Sequence, residues 1–169
     1  ITDPNHRIPV MASALRVKSF ELCGEISDGA ISWVCPGSYL RDKAIPAMNK
    51  GAAKAGRNVP PLIVHAPICV NDNLDLVRDA AREQLGNYPK SPFYQQMFVD
   101  SGHPEAIEGT WSNEMIDDVV LMGSESEVAD QIERLFEWGA GEIIAHPLLA
   151  GSNHSQSLDR TLALISSLS

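Results

Sequence analysis

The chain lacks any apolar run near the roughly 20 residues that a bilayer-spanning helix requires, so no helical membrane crossing is expected within its 169 residues. It also lacks an excess of positive charge: 13 Lys and Arg stand against 22 Asp and Glu, a formal net charge of −9. That balance argues against nucleic acid or an anionic membrane as the main partner. An anionic small molecule stays open, because binding one depends on local donors rather than on the total. Cysteine is scarce. Cys23, Cys35 and Cys69 are far apart with no paired metal or redox motif, and a reduced, cytoplasmic setting is the simplest expectation. With no H-E-x-x-H and no paired cysteines, no metal is expected. Absent too are G-x-G-x-x-G, a P-loop and a G-x-S-x-G elbow, which disfavours a dinucleotide-binding Rossmann domain and the common nucleotide and hydrolase sites. An initiator Met is missing as well: the chain opens Ile1-Thr2-Asp3-Pro4-Asn5-His6 and enters a strand-like segment almost at once, which reads as the middle of a longer protein.

What is present is the composition of an ordinary globular domain, 44% hydrophobic and 21% charged, long enough for one core. The stretch from Ile8 to Ile31 organises it. Ile8, Val10 and Met11 are a short apolar run that predicts a buried strand. Ala12, Ser13 and Ala14 are small enough to let a ligand approach the backbone. Leu15, Ser19, Leu22, Cys23 and Ile26 then recur at helical spacing, and Asp28-Gly29 stops that helix before the apolar run Ala30–Val34. This is one β-α-β unit of a parallel sheet.

A helix is predicted from about Ser38 to Ala55, with Leu40, Ala44, Ala47, Met48, Gly51 and Ala52 on its small-residue face. Pro46 should kink or break it near Ile45, and Gly56 should close it. The nearly all-apolar Pro61–Val70 predicts a strand buried on both faces, with Pro67 suggesting a bulge near its end. Asn71-Asp72-Asn73 caps a helix whose stripe is Leu74, Val77, Ala81 and Leu85.

From about 88 to 123 the pattern changes to prolines, aromatics and short helical pieces, at about 91–101 and 111–119, longer than a usual connection. That segment reads as an insertion, lid or interface. Ser124-Glu125-Ser126-Glu127 is a capping box. It opens a helix with the stripe Val128, Ile132, Leu135 and Phe136, ended by Gly139. A strand at Glu142–His146, stopped by Pro147, precedes a closing helix marked by Leu158, Leu162, Ile165 and Leu168. Strands at about 8–12, 29–34, 62–70 and 142–146 alternating with helices mean a parallel sheet. They amount to four βα units, half of a (β/α)8 barrel.

At this point the residues resemble a known family. Ala12-Ser-Ala-Leu-Arg-Val-Lys-Ser-Phe-Glu-Leu-Cys-Gly-Glu-Ile-Ser-Asp-Gly29 is similar to the A-A-L-(G/R)-P-(K/R)-x-L-x-L-A-G-E-x-A-D-G signature of the bacterial-luciferase-like monooxygenase superfamily, above all its deazaflavin-dependent oxidoreductase branch. Ser91–Phe98, Trp111–Val120 and Gly123–His146 resemble later segments of the same proteins, in order. The resemblance implies an α/β fold of TIM (β/α)8-barrel type, of which 1–169 is the C-terminal half with its helical insertion at about 88–123. It implies hydride transfer at the ring of coenzyme F-420 (a deazaflavin) or FMN, with oxygen chemistry in the true monooxygenases. It further implies a small-molecule substrate, and a homo-oligomer or pairing with the missing N-terminal half. Catalytic residues in this family come largely from that other half, so none is assigned here.

The best candidate site is the turn Ala12, Ser13, Ala14, Leu15 and Arg16. Backbone N–H groups at a helix start suit a phosphate, Ser13 adds a hydroxyl, and Arg16 and Lys18 offset charge. In the family this turn lies near the coenzyme phosphate; here Val17 replaces the family's proline. The same turn also reads as an ordinary strand-to-helix connection. His65, inside an apolar strand, reads as a hydrogen-bonded core histidine. His146 lies at a strand end, where barrel chemistry gathers. Trp33 and Cys35 end the second strand and either wall a planar ring or pack in the core. His6, His103 and His154 read as isolated and exposed. Two other functions stay open: a half-barrel that only dimerises or binds a cofactor, and a phosphate-binding barrel of sugar or aldol metabolism, which would want a Lys or Glu at a strand end.

Overall fold

The computed structural model describes residues 8–168. Its centre is β3 (Leu62–Val70), buried along its whole length. β2 (Gly29–Trp33) pairs with it in parallel from Leu62 to His65, and β1 (Met11–Ser13) pairs in parallel with β2. On the opposite edge β5 (Ala140–Pro147) runs parallel to β3 from Leu62 to Ile68, with a register shift between Leu62 and Ile63. A short fifth strand, β4 (Leu121–Gly123), joins β3 at Ile68 to Val70. The expected four strands are all present, and β4 adds to them. This all-parallel sheet alternating with helices is the architecture of part of a (β/α)8 barrel.

Pro67 produces no bulge at its own position. Ile68 O accepts from Leu148 N beyond β5, and Asn71 N donates to Gly123 O of β4. Odd-numbered residues of β3 therefore turn toward the β2 and β4 edge. Pro67 falls where β2 has ended at His65 and β4 has not begun, so its missing N–H breaks no ladder bond.

Residues paired across a parallel sheet point to the same face. On one face stand Ala12, Ala30, Leu62 and Val64, followed by Ala66; the helices cover them, and Ala30, Leu62, Val64 and Ala66 are buried. The other face carries Ser13, Ile31, Ile63 and Glu142 in one row, Trp33, His65 and Ile144 in the next, and Pro67 and His146 above. Much of this face is open, with Met11 39%, Trp33 37% and Ile144 40% exposed. The buried strand expected at 8–12 is thus corrected: Ile8 and Val10 are exposed, and the strand is the edge segment Met11–Ser13.

The helices explain the packed face. α1 (Val17–Ile26) buries Phe20, Cys23 and Gly24, while Leu22 and Ile26 of the expected stripe stay exposed. The reason is the crossing with α3 (Ile45–Ala55). A Cβ at Gly24 would run into the Met48 carbonyl, and one at Gly51 into the Glu21 carbonyl, so the backbones meet at two glycines. α2 (Gly37–Tyr39), a π-helical turn at Leu40–Ala44 and α3 form one continuous stretch, with Pro46 in the first turn of α3. A proline cannot donate to the carbonyl four residues back, and the widened turn just before it is the break that Pro46 predicts. The small-residue face of Leu40, Ala44, Ala47, Met48, Gly51 and Ala52 is buried as expected.

α4 (Leu74–Gln84) starts at Asn73, whose side chain accepts from the amides of Asp75 and Leu76. Residues 88–119 are short pieces: 3-10 turns at Tyr88–Lys90 and Pro104–Glu108, α5 (Pro92–Asp100) and α6 (Asn113–Val119). α7 (Glu125–Glu137) has the capping box of Ser124 and Glu127, and Gly139 follows it at φ 113°. Its stripe buries Val128 and Leu135 and leaves Phe136 47% exposed. α8 (His154–Ser167) corrects another expectation. Its buried residues are Ser157 and Thr161, while Leu162 and Leu168 are exposed. Thr161 Oγ1 accepts from Val70 N at 2.9 Å and Ser157 Oγ accepts from Ala150 N, so the helix ties off backbone amides that the sheet leaves unpaired.

Candidate functional site

All strands of a parallel sheet end on the same side, and two groups of residues meet there. The first is a cluster on the open face. His65 Nε2 lies 3.0 Å from His146 Nδ1. The Trp33 indole stacks on the His65 ring, centroids 3.8 Å apart and planes 18° apart. Trp33 is itself held twice: its Nε1 donates to Tyr88 Oη at 2.7 Å, and the Tyr94 hydroxyl donates to its carbonyl at 3.1 Å. The two tyrosine rings meet edge to face, centroids 5.0 Å apart. This packing buries His65 to 2% exposure although it stands on the open face.

Burial dominates the electrostatics of His65, Cys35 and Tyr94 in and beside this cluster. Burial, and next the facing His146, push the His65 pKa down to about 4. Burial pushes the Cys35 thiol up to about 12 and raises the Tyr94 hydroxyl above the usual phenol range. The residue that follows Trp33 is strained: Val34, fully buried, holds φ at 51°, a left-handed backbone that a β-branched side chain rarely adopts. Such strain persists where surrounding structure fixes it, often beside a working site.

The second group is the turn expected at Ala12–Arg16. Ala12 and Ser13 end β1, and Ala14, Leu15 and Arg16 lead into α1. Ala14 N donates to Ile31 O, while Arg16 O accepts from Ser19 N and Phe20 N. No side chain caps the first turn of α1. Arg16 is not free. Its Nη2 lies 3.0 Å from Asp100 Oδ2 at the end of α5, and both side chains are about one-third exposed (37% and 32%). Two buried polar atoms close to this turn lack a hydrogen-bond partner of normal geometry, Arg16 Nε and Tyr39 Oη. The Tyr39 hydroxyl sits beside the Val17 backbone, and burial first, then Cys35 and Asp100, push its pKa up to about 12.

Helix α5 spans both groups, touching Trp33 through Tyr94 and Arg16 through Asp100. Sequence reasoning placed His65 and His146 in separate strands and missed their contact. It also missed Tyr88 and Tyr94 as supports of Trp33; the aromatic density of that segment was the available signal. Cys35 is buried and forms no wall of the open face. His103 is neither isolated nor exposed: Nε2 lies 3.2 Å from Asp118 and Nδ1 3.5 Å from Glu105, and Asp118 also accepts from Ser38 at 2.6 Å. That network joins α2 to the 88–119 segment. His154 is exposed as expected, and His6 lies outside the described residues. Among the described residues no three His, Cys, Asp or Glu side chains gather as a metal site.

Parallel strands alternating with helices that cover one face define a portion of an α/β barrel. A family model described as luciferase-like monooxygenase matches residues 1–142, and the chain belongs to that family. Uncharacterized protein Rv1360 of Mycobacterium tuberculosis is 28% identical over 128 residues, covering 66% of this chain and 38% of that protein. Among solved structures, an F420-dependent secondary alcohol dehydrogenase in complex with an F420-acetone adduct matches 99% of this chain and 51% of its own at TM-score 0.71 and 18% identity. The coenzyme F420-dependent tetrahydromethanopterin reductase of Methanopyrus kandleri matches 90% and 48% at TM-score 0.58 and 19% identity. The oxygenating constituent of 3,6-diketocamphane monooxygenase from Pseudomonas putida, in complex with FMN, matches 92% and 46% at TM-score 0.56 and 18% identity. The chain thus spans about half the length of these structures and less of its curated relatives.

Proposed function

We propose that this chain is the C-terminal half of a flavin- or deazaflavin-dependent oxidoreductase of the luciferase-like family, and that its β1–α1 turn holds the coenzyme phosphate. The observation that carries the reading is the pair of orphaned buried polar atoms, Tyr39 Oη and Arg16 Nε, close to an uncapped helix start. Amides of a first helical turn, a guanidinium and a neutral phenol form a donor set that suits a phosphate ester. The open row of Trp33 and Ile144 offers apolar surface, planar at the indole, along which a coenzyme ring can lie. When bound, the coenzyme supplies hydride chemistry, and the luciferase-like family includes members that pair it with oxygen. This chain's residues grip the phosphate, wall the ring and exclude water on one side.

Asp100 opposes the phosphate, because it already engages Arg16. The test uses the full-length protein titrated with FMN and with a deazaflavin coenzyme, followed by visible absorbance. Saturable binding of either is expected, and Asp100→Asn should tighten it about two- to fivefold, the range that releasing a partly exposed ion pair allows. Absence of binding by both coenzymes sinks the reading.

A second reading, a half-barrel that only dimerises or binds a cofactor, is favoured by the open apolar side chains of Met11, Trp33 and Ile144. A stable monomer in sedimentation equilibrium would count against its dimerising form.

A further inference from the structure

The His65–His146 pair has no part in gripping a phosphate, yet it joins two imidazole rings at 3.0 Å on the open face. Each ring has two nitrogens, and their partners determine the tautomers. His65 Nδ1 is buried with no hydrogen-bond partner of normal geometry. The one group acting on that ring in favour of a proton is its own backbone. A ring hydrogen on Nδ1, directed at the His65 carbonyl, meets both observations. Burial keeps the ring neutral, so Nε2 is then bare and serves as an acceptor. The group facing it at 3.0 Å, His146 Nδ1, must be the donor. A His146 ring that carries hydrogen on Nδ1 alone has a bare Nε2, and among the described residues no protein group bonds that atom.

His146 is half-buried at the strand end, opposite Pro67 in the register. A base whose second nitrogen is oriented by an acceptor is the arrangement general-base catalysis uses. Here the orienting group is neutral instead of a carboxylate. Behind the pair, Trp33 is stacked on His65, and Tyr88 and Tyr94 hold Trp33 through their hydroxyls. Glu142 stands on the same face but two rows lower, level with Ile63.

We propose that His146 is a catalytic proton acceptor and donor for a hydroxyl- or carbonyl-bearing ligand at the strand ends, and that His65 is the positioning residue that aims it. In the forward direction the ligand's O–H bond breaks, its proton moves to His146 Nε2, and the electron pair stays on the ligand oxygen. His146 becomes an imidazolium whose Nδ1–H remains bonded to His65 Nε2; the reverse step returns the proton. Trp33 holds the His65 plane by stacking, with Tyr88 and Tyr94 behind it. The reading rests on the proposed oxidoreductase function only for what the proton transfer accompanies, because tautomer and geometry belong to the chain itself.

Nitrogen-15 NMR of histidine-labelled full-length protein, without coenzyme, tests the pair at pH 7.5. The expected result is hydrogen on Nδ1 and a bare Nε2 at His146, with His65 uncharged down to near pH 4. His65→Leu should move His146 to the Nε2–H form that free imidazole prefers, whereas His65→Gln, which keeps an acceptor in the same place, should retain Nδ1–H. Hydrogen on His146 Nε2 in the unmodified protein overturns the proposal, and that spectrum decides even if His65→Leu fails to fold. In coenzyme-loaded enzyme, His146→Gln should lower kcat about 100-fold or more with coenzyme affinity unchanged; an unaltered kcat overturns the proposal. Failure of any coenzyme to bind defeats the functional reading instead, and leaves the NMR outcome to judge the pair.

Discussion

The two faces of this sheet obey different rules. Side chains on the helix-covered face are small or aliphatic, all packed, and chosen by volume: Ala30, Ala66, Leu62, Val64. The opposite face mixes Ser13, Trp33, His65, Glu142 and His146 with exposed Met11 and Ile144, and its order comes from hydrogen bonds and stacking. One face is packed under helices, and the other carries the polar and aromatic cluster. The comparison teaches that the helix face tolerates little change in shape, while the open face tolerates changes of size but not of hydrogen-bonding partner.

The contrast can be broken most directly at α1. Phe20 is fully buried between helix and sheet, so Phe20→Ala should cost about 4 kcal/mol, read as a lower denaturation midpoint at unchanged slope. A cost below about 1 kcal/mol would mean the helix face is not packed as described. Gly51→Val comes next. Its added carbons meet the Glu21 carbonyl at the α1–α3 crossing, where overpacking costs roughly 1–3 kcal/mol, and the same denaturation curves measure it.

The pH effect of His65 is modest within any one pH unit. Its folded pKa, near 4, is below the unfolded value of 6.5, so the unfolded chain binds more protons between these limits. Stability is therefore fully present above about pH 6.5 and is lost as pH falls toward about 4, with a slope of at most about 1.4 kcal/mol per pH unit. Denaturation at a series of pH values should show that slope, and His65→Gln should flatten it. The smallest effect is expected at Ile144. Because it is 40% exposed, Ile144→Ser should change stability by no more than about 0.5 kcal/mol in this chain. A loss as large as that of Phe20→Ala would show that something covers this face.

Much of the scaffold was legible in local pattern. The all-apolar run at 62–70 predicts β3 because a strand buried on both faces has no polar side to show. Ser124 and Glu127 announce α7 through a local hydrogen-bond pair, and Gly139 marks its end by a backbone angle. The turn at Ala12–Arg16 was visible for the same reason, since a strand, a few small residues and a helix are contiguous. The errors lie where burial depends on a distant neighbour. Leu22 and Ile26 fit a helical stripe, yet Gly24 decides which side of α1 packs, because only there can α3 approach. α8 carries a leucine stripe, yet buries Ser157 and Thr161 because amides at Val70 and Ala150 need acceptors.

What the sequence alone determined is therefore the βα alternation, the parallel sheet it requires, and the strand-to-helix turn at Ala12–Arg16. These depend on residues within one or two turns of each other. What only the tertiary structure decided is the face on which the histidine pair stands. His65 and His146 are 81 residues apart, and they meet because β5 docks on β3 in one register, which sets His146 one pleat beyond His65 on the same side. A one-residue slip would turn His146 to the helix face. No local pattern records that register; it is held by the packing of the whole sheet.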